Sequence, residues 1–301
     1  MKLIPLSSGS SGNSIFIEEN NTRILIDAGH SGKKIESLLK DIDVDPSTID
    51  AIFVTHEHID HVKGVGVLHR RYKMDVFASE VTFRAMESQV KKIDAEKIKI
   101  FQNSIGFRYK DLYIEPMEIY HDCQEGNSFI IHSKDEKATI LTDTGWVNTE
   151  MMKKMDGSDI YYLEANHNVE MLVNGTYPWQ TKQRILSNRG HLSNENAGEI
   201  LNKLLRKKGE RIILAHLSSD NNSPSIALKE VNTKLSESGK IEGVDYTIKV
   251  AKRDTVTRDE VENEWIYRIV LQRNTNIYQY LEEWKRKGNP SNSARHVRIC
   301  G

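Results

Sequence analysis

Short apolar runs separated by serine, glycine and asparagine begin the chain, and their spacing predicts strands at KLIPL, SIFIEE and RILIDAG. Apolar residues then recur at helical spacing over residues 32–41, before a strand predicted at residues 51–55. Further along, the pattern predicts a helix at residues 62–72, a strand at residues 74–78, and a helix that Ser79 caps. The first third of the chain therefore combines a sheet with several helices.

From residue 97 the apolar period changes to two, which predicts a second sheet with strands IKIFQ, GFRYKDLYIEPMEIYH, SFIIHS and ATILTDTG. Helices and strands then alternate again. The predicted helices are residues 149–155, residues 179–188, HLSNENAGEILNKLLRKKG with Ser193 as its cap and Gly209 as its stop, and residues 224–238. The predicted strands are DIYYLEAN, RIILAHLS, residues 245–251 and residues 265–271. This order indicates an α/β fold in which two sheets pack face to face with helices outside.

One serine- and glycine-rich segment, SSGSSGNS at residues 7–14, has the composition of a flexible linker. It lies between two segments that would pair as strands, so a tight backbone loop is the favoured interpretation. Residues 1–272 are predicted to form one domain. Residues 273–301 are predicted to be a polar, basic tail, in which only IYQYLEEW is amphipathic.

Composition narrows the class of protein. The chain has 301 residues, of which 38% are hydrophobic, and this is enough for a sizeable core. Only two cysteines occur, Cys123 and Cys300, so a disulfide framework is excluded and a reducing cytoplasm is the expected location. No signal peptide and no apolar stretch of membrane-spanning length is evident. Because the formal net charge is only −1, binding of nucleic acid would require a local basic patch.

The segment VTHEHIDH, residues 54–61, places four metal-ligating side chains directly behind an apolar strand: His56, His58, Asp60 and His61. Imidazole and carboxylate are ligands that zinc, manganese and iron accept. A loop at a strand end can direct several side chains to one centre, whereas a regular helix would scatter them. The alternative is a solvated, histidine-rich turn without a metal.

Two metal ions would need further ligands at the ends of other strands. His121 follows EPMEIY, Asp143 follows ATILT, and His216 ends RIILA. A lone histidine is more often structural than a ligand, but these three residues share the same position relative to an apolar strand. We therefore expect them to complete the metal centre.

Several motifs together resemble one family, over residues 3–272. They are LSSGSSGNS, THEHIDH, ILTDTG, GHLSNENAG and LAHLSSDNN. They resemble the metallo-β-lactamase superfamily, and NHNVEML together with YPWQTKQRILSNRGHLSN is close to its YycJ-type, WalJ-like branch, which is related to tRNase Z-like enzymes.

The resemblance implies a four-layer αββα sandwich that forms a hydrolase domain with two divalent metal ions at one edge. His56, His58 and His121 would hold one ion; Asp60, His61 and His216 would hold the other; Asp143 would bridge them. Zinc is the first expectation for the metal, with manganese or iron as alternatives, because the ligand set contains no thiolate.

The same resemblance implies a catalytic pair. In YLEANHN and RGHLSNENAG, Glu164 would orient His191, which would contact the scissile phosphate or protonate the leaving oxygen. Asp60 joins these two residues as a candidate catalytic residue, and His167 is a candidate for substrate binding. The alternative is that Glu164 is only a charge at a strand end and that His191 only begins a helix.

A basic segment with one tryptophan leads into His191. Lys182, Arg184 and Arg189 would neutralise phosphates, and Trp179 would stack a base, although a solvated helix face explains these residues equally well. Cys123 is expected to be a buried bystander rather than a ligand.

The predicted function is hydrolysis of phosphodiester bonds by a dinuclear metal centre. The branch resemblance implies a DNA exonuclease with 5′ to 3′ polarity. The alternative is a phosphodiesterase for small or cyclic nucleotides, which the near-neutral net charge favours slightly. A binding module without catalysis is disfavoured because every expected ligand is present. The sequence leaves the oligomeric state open, with a homodimer as one candidate.

Overall fold

The computed structural model describes residues 1–258, and its first sheet is formed by the N-terminal part of the chain. The six strands are, in spatial as well as chain order, β1 (Lys2–Ser7), β2 (Ser14–Glu19), β3 (Thr22–Ile26), β4 (Ala51–Phe53), β5 (Asp75–Ser79) and β6 (Ile98–Phe101). The pairs β1–β2 and β2–β3 are antiparallel, and the pairs from β3 to β6 are parallel.

The second sheet has seven strands, which also lie beside one another in chain order. They are β7 (Phe107–Tyr109), β8 (Leu112–Glu118), β9 (Asn127–His132), β10 (Lys137–Leu141), β11 (Ile160–Glu164), β12 (Glu210–Ala215) and β13 (Tyr246–Val250). The pairs β7–β8, β8–β9 and β9–β10 are antiparallel. The pairs β10–β11, β11–β12 and β12–β13 are parallel. The carboxyl ends of β10, β11 and β12 therefore meet at one edge.

Helices connect the parallel strands of both sheets. They are α1 (Gly32–Lys40), α2 (Ile59–Val62), α3 (Val65–Tyr72), α4 (Glu80–Val90), α5 (Thr149–Met155), α6 (Val169–Asn174), α7 (Trp179–Leu186), α8 (Asn194–Leu204) and α9 (Pro224–Glu237). The predicted caps are confirmed, because the Ser79 side chain accepts from the Thr82 N–H and Ser193 forms a capping box with Asn196.

Side-chain alternation along the strands creates three core layers. On β3, Leu25 joins the core under α1, α3 and α4, whereas Ile24 and Ile26 join the core between the sheets. On β11, Tyr162 faces the other sheet and Tyr161 faces the helices on the far side. This alternation confirms the predicted αββα sandwich.

The segment at residues 7–14 is a tight loop, as predicted. Strands β1 and β2 pair on either side of it, from Lys2 opposite Glu18 to Ser7 opposite Ser14. Gly12 donates its N–H to the Gly9 carbonyl, and Gly9 has a φ of 138°, which favours glycine.

In the first half, one predicted element is wrong and another is confirmed only in part. Strand β6, predicted in the second sheet, pairs in parallel with β5, since α4 returns the chain to the same sheet. The helix predicted at residues 62–72 is divided into α2 and α3 at Gly64, where the backbone approaches the Ala28 and His30 carbonyls closely.

In the second half, α8 ends at Leu204 instead of Gly209. The Glu210 carboxylate accepts the N–H groups of Arg206 and Lys208, which therefore do not continue the helix. Helix α6 was not predicted. The predicted strand at residues 265–271, the domain boundary at residue 272, the tail at residues 273–301 and Cys300 lie outside the described residues. Within residues 1–258, no helix combines the length and apolar character that a membrane crossing requires.

Candidate metal centre

The loop after β4 is organised by Asp27, which directly follows β3. The buried Asp27 carboxylate accepts the Thr55 N–H at 2.8 Å and the Thr55 hydroxyl at 2.8 Å. It also contacts His61 Nδ1 at 2.7 Å, which leaves His61 Nε2 to face the centre. Sequence analysis missed Asp27, although, like Asp143, it is a polar residue directly after an apolar strand.

Three of the predicted ligands form the first half of the centre. His56, His58 and His121 each offer a ring nitrogen within 4.8 Å of the other two. His56 Nε2 lies 3.1 Å from His58 Nδ1. His121 follows β8, and its Nδ1 lies 3.3 Å from the Gly190 carbonyl, so the loop before His191 orients this ring.

Asp143 lies at the middle of the centre and is 2% exposed. Its Oδ2 is 3.3 Å from His61 Nε2, and its Oδ1 is 3.3 Å from His216 Nε2 and 3.9 Å from His121 Nε2. Asp143 and His216 both have positive φ, 56° and 54°, directly beyond β10 and β12. Such strained backbone at a strand end is typical of a functional site.

Asp60 lies beside the centre, although its carboxylate does not join any of the groups of converging ligand atoms among the described residues. Its Oδ2 lies 3.6 Å from His61 Nε2 and its side chain is 22% exposed. Asp60 and His61 belong to α2, so the expectation that all four residues of the histidine motif lie in a loop is wrong. Because α2 is a single turn placed directly at the strand end, both side chains still face the same centre.

The electrostatics of the centre fit a bound cation. Burial lowers the pKa of His56 well below its ordinary value, so this imidazole is neutral and able to ligate. Burial alone would lower the pKa of His61, but the carboxylates of Asp27 and Asp143 outweigh it and raise this pKa to about 10. These carboxylates therefore favour a positive charge at His61 Nε2, which a proton or a metal ion can supply. Burial alone would raise the pKa of Asp143, but the imidazoles of His216 and His61 hold it well below its ordinary value.

The unsatisfied polar atoms point to the same conclusion. Among the described residues, the buried Asp143 Oδ2 and His216 Nδ1 make no hydrogen bond. A buried carboxylate oxygen without a donor is costly unless a cation neutralises it. Together with the imidazole and carboxylate donor set, this indicates a site for divalent metal.

Glu164 and His191 form a hydrogen-bonded pair beside the centre. His191 Nδ1 lies 2.6 Å from Glu164 Oε1, and Glu164 Oε2 accepts the N–H of Thr144 at 3.0 Å and of Leu192 at 3.3 Å. Burial alone would lower the pKa of His191, but the Glu164 carboxylate outweighs it and raises this pKa to about 9. The His191 ring stacks on His216 with centroids 5.3 Å apart. The Glu164 carboxylate therefore orients the His191 ring beside the centre and favours its protonated form.

His167 is buried near this pair. Within the described part of the chain, neither of its ring nitrogens has a hydrogen-bond partner, and burial lowers its pKa to about 4. His167 is thus a neutral imidazole with unused hydrogen-bonding capacity.

The basic segment is brought to the site only in part. The Lys182 ammonium donates hydrogen bonds to the carbonyls of Val173 and Gly175 and so caps the end of α6. The Lys182 side chain is buried there. Arg189 donates from Nε and Nη2 to the His121 carbonyl at 2.9 and 2.7 Å. Arg184 donates to Asp122 Oδ2 at 2.5 Å.

Exposed aromatic side chains also occur in the segments that carry predicted site residues. Trp179, the predicted stacking residue, is 60% exposed. Two more, which sequence analysis missed, lie beside ligands: Tyr120 precedes His121, and Trp146 follows Asp143. Both are exposed, and the Gly145 N–H donates to the Tyr120 carbonyl at 2.9 Å, which joins their loops. Cys123, expected to be buried, is half-buried, and burial raises the pKa of its thiol to about 12. It belongs to none of the groups of converging ligand atoms among the described residues.

Comparison with known proteins agrees with this geometry. Residues 8–125 match the metallo-beta-lactamase superfamily. The chain is 41% identical over 254 residues to the exodeoxyribonuclease WalJ of Streptococcus pneumoniae, which covers 84% of this chain and 94% of that protein. It is 38% identical to the exodeoxyribonuclease YycJ of Bacillus anthracis, over 78% of this chain and 89% of that protein.

A solved structure shows the same fold. The metallo-beta-lactamase fold protein YhfI from Bacillus subtilis superposes with a TM-score of 0.62 at 17% identity, over 85% of this chain and 98% of that one. The identity to WalJ and YycJ over most of both chains, with the histidine motif at the metal centre, establishes the family. This chain belongs to the metallo-β-lactamase superfamily, in the branch of the WalJ and YycJ proteins.

Proposed function

We propose that this chain is a metal-dependent exonuclease that hydrolyses DNA with 5′ to 3′ polarity. The observation that carries the proposal is the 41% identity to an exodeoxyribonuclease over 84% of the chain. The convergence of the histidine and aspartate side chains on one centre supports it.

In this proposal His56, His58 and His121 would hold one ion, Asp60, His61 and His216 would hold the other, and Asp143 would supply a carboxylate oxygen to each. We propose zinc as the resident metal, with manganese and iron as alternatives. Two divalent ions supply Lewis acidity, which activates water near neutral pH and neutralises phosphate charge. Asp60 acts as a catalytic residue through the position of the ion that it holds.

His191 is the proposed acid. Glu164 accepts from Nδ1 and so fixes the ring, and the raised pKa keeps the imidazole protonated near neutral pH. The proton of Nε2 is then available to the leaving oxygen of the scissile phosphodiester. His167 is proposed to contact the substrate from the same side, as a neutral imidazole.

We propose that the substrate lies across the exposed aromatic residues beside the centre. Tyr120 and Trp146 offer ring faces on the loops that carry His121 and Asp143. Stacking of one base on such a ring contributes about 1–3 kcal/mol. Trp179 and the exposed side chains of Arg184 and Arg189 extend this surface, whereas Lys182 is left out because it is buried and its ammonium caps α6.

Activity on labelled substrates tests the proposal. Metal-reconstituted protein is incubated with DNA labelled at the 5′ or the 3′ end, with RNA, and with cyclic nucleotides. Release of mononucleotides first from the 5′ end of DNA supports the proposal. Hydrolysis of cyclic nucleotides alone would transfer the function to the alternative, which the net charge of −1 favours.

A salt titration separates the same two functions independently. Binding of a DNA strand releases counterions, so log K falls with log salt at a slope of about −0.7 to −0.9 for each phosphate contacted. A cyclic nucleotide carries one phosphate and therefore gives a slope no steeper than about −1.

We also propose a cytoplasmic location, which the low cysteine content supports, and a homodimer as the assembly to test by light scattering. The domain boundary near residue 272 stays a prediction.

A further inference from the structure

The loop between β1 and β2 reaches the metal centre through Asn13. This side chain is 6% exposed, and its Nδ2 lies 3.0 Å from His61 Nε2 and 3.4 Å from Asp60 Oδ2. Asp143 Oδ2 faces the same His61 nitrogen at 3.3 Å. Asn13 thus lies in the space that the proposed ligands of the second ion share.

The orientation of the Asn13 amide is fixed by the loop. Its Oδ1 accepts the Gly9 N–H at 2.8 Å, so the NH₂ group faces the centre. An amide NH₂ has no lone pair for a metal ion, which excludes Asn13 as a ligand through this atom. It acts at the centre as a hydrogen-bond donor.

The roles of the two ring nitrogens of His61 decide which groups accept this hydrogen bond. His61 Nδ1 contacts Asp27, so Nε2 is the nitrogen that ligates, and its lone pair is then not available to Asn13. Two acceptors on Asp60 remain within reach, the carboxylate Oδ2 and the backbone carbonyl, each 3.4 Å from Asn13 Nδ2. The NH₂ group has two hydrogens and so can donate to both.

We infer that Asn13 is a positioning residue, which donates to the Asp60 carboxylate and holds it in the orientation that ligates the second ion. Such a donor restricts the rotation of the carboxylate and so reduces the entropy lost on metal binding. The inference rests on the proposed assignment of Asp60 and His61 as ligands of one ion.

The backbone keeps Asn13 in place independently of its side chain. Its N–H donates to the Asp60 carbonyl at 2.8 Å, and its carbonyl accepts the Gly29 N–H at 2.9 Å. Substitutions of the side chain therefore leave the loop attached to α2, and two of them separate its two hydrogen-bonding roles. Asn13→Asp keeps the acceptor for Gly9 and removes the donor, whereas Asn13→Ala removes both.

The test measures zinc affinity and turnover in the full chain. Zinc dissociation constants come from competition with a chromogenic chelator, without substrate. We expect Asn13→Ala to weaken the binding of one of the two zinc ions about 10-fold or more, as loss of a hydrogen bond to a ligand usually does. We expect kcat for bis-p-nitrophenyl phosphate to fall about 10-fold in both variants when they are loaded with zinc. Ser11→Ala, which removes an exposed hydrogen bond to Asp254 in the same loop, is the control and should match the wild type.

Two outcomes overturn the inference. If Asn13→Asp equals the wild type in zinc affinity and kcat, the side chain serves only the Gly9 N–H. If Asn13→Ala lowers the melting temperature of the zinc-free protein by as much as it lowers that of the zinc-loaded protein, the role of Asn13 is general stability. Failure of the proposed function is distinguishable, because wild-type protein that binds zinc but cleaves no phosphodiester still allows the zinc affinities to decide about Asn13.

Discussion

At the scale of single residues, the site depends most on Asp143, whose two oxygens face His61 on one side and His216 on the other. We expect Asp143→Ala to lose metal and activity together, because one carboxylate serves both proposed ions. Activity should fall by more than about 100-fold, which is the upper range for residues that only support a ligand. Metal analysis and turnover of the same preparation check this. Full metal occupancy in the variant would contradict a bridging carboxylate.

His191 gives the opposite expectation. His191→Ala should keep its metal while turnover falls on the order of 10²- to 10⁴-fold, because the group acts in proton transfer. The prediction needs both readouts, since His191 also lies within ligand distance of Asp143 and His216. If the variant lost metal in proportion to activity, His191 would be reassigned as a ligand.

The sequence predicted which residue types meet at the centre, but not what orients them. The side chains of the histidine motif, His121, Asp143 and His216 were found because each is polar and directly follows an apolar strand. Asp27 meets the same criterion, since it directly follows the apolar strand RILI, but it was missed. The capping role of Lys182 was not predictable, since it depends on where the carbonyls at the end of α6 lie.

At the scale of elements, close backbone contact between loops fixes the position of α2. A Cβ on Gly29 would lie 1.6 Å from the Asp60 carbonyl oxygen. We expect Gly29→Ala to lower the free energy of unfolding by about 2 kcal/mol or more and to weaken metal binding, because α2 must move. Denaturant unfolding checks the first effect. Gly157→Ala, where nothing lies within 4 Å, is the control and should show only the cost of its positive φ, about 1 kcal/mol.

Asp159 joins the starts of three strands of the second sheet. Its side chain accepts the Lys137 N–H at 2.8 Å and the Lys208 ammonium at 2.6 Å, and its carbonyl accepts the Arg211 N–H at 2.8 Å. Burial alone would raise the pKa of Asp159, but these donors to its carboxylate, Lys208 first, outweigh it and hold the pKa below its ordinary value.

The stabilisation from Asp159 should therefore depend on pH. A carboxyl group whose pKa is lowered in the folded state stabilises the protein at pH values above its ordinary pKa of about 4. This contribution is lost as the pH falls through the pKa of the folded state. We expect Asp159→Asn to be less stable than the wild type by about 1 kcal/mol or less at pH 7, since the carboxylate is partly exposed. Urea unfolding at several pH values should show the difference disappearing in acid. A difference that persisted undiminished at the lowest pH would exclude the charge as its cause.

Element boundaries were harder to predict than element types. The alternating pattern of IKIFQ identified a strand, but a period of two does not tell which sheet a strand joins. Only the crossover through α4 decides that β6 follows β5. The end of α8 was misplaced for a similar reason, because Glu210 takes two backbone N–H groups from the segment before Gly209.

At the scale of the whole molecule, the sandwich was predictable because both sheets bury residues on both faces. The strands accordingly appear as nearly continuous apolar runs between turn signals, as in RILI and IYYL. The pattern could not predict how the two sheets pack against each other, and it is this packing that brings the ends of β4 and β12 to one edge. The net charge of −1 further implies that any DNA track is a local surface around the centre rather than the field of the whole protein.

The proposed ligands are divided between the two sheets: His56 to His61 follow β4 of the first, whereas His121, Asp143 and His216 follow strands of the second. An ion shared between these groups would act as a cross-link between segments that are far apart in the chain, and its release would remove a restraint on how the sheets pack. Removal of the ion by a chelator should then destabilise this edge of the sandwich more than the other parts of the fold. Amide protons beyond β4, β10 and β12 would exchange faster with solvent, while those at the opposite edge of the sandwich keep their protection.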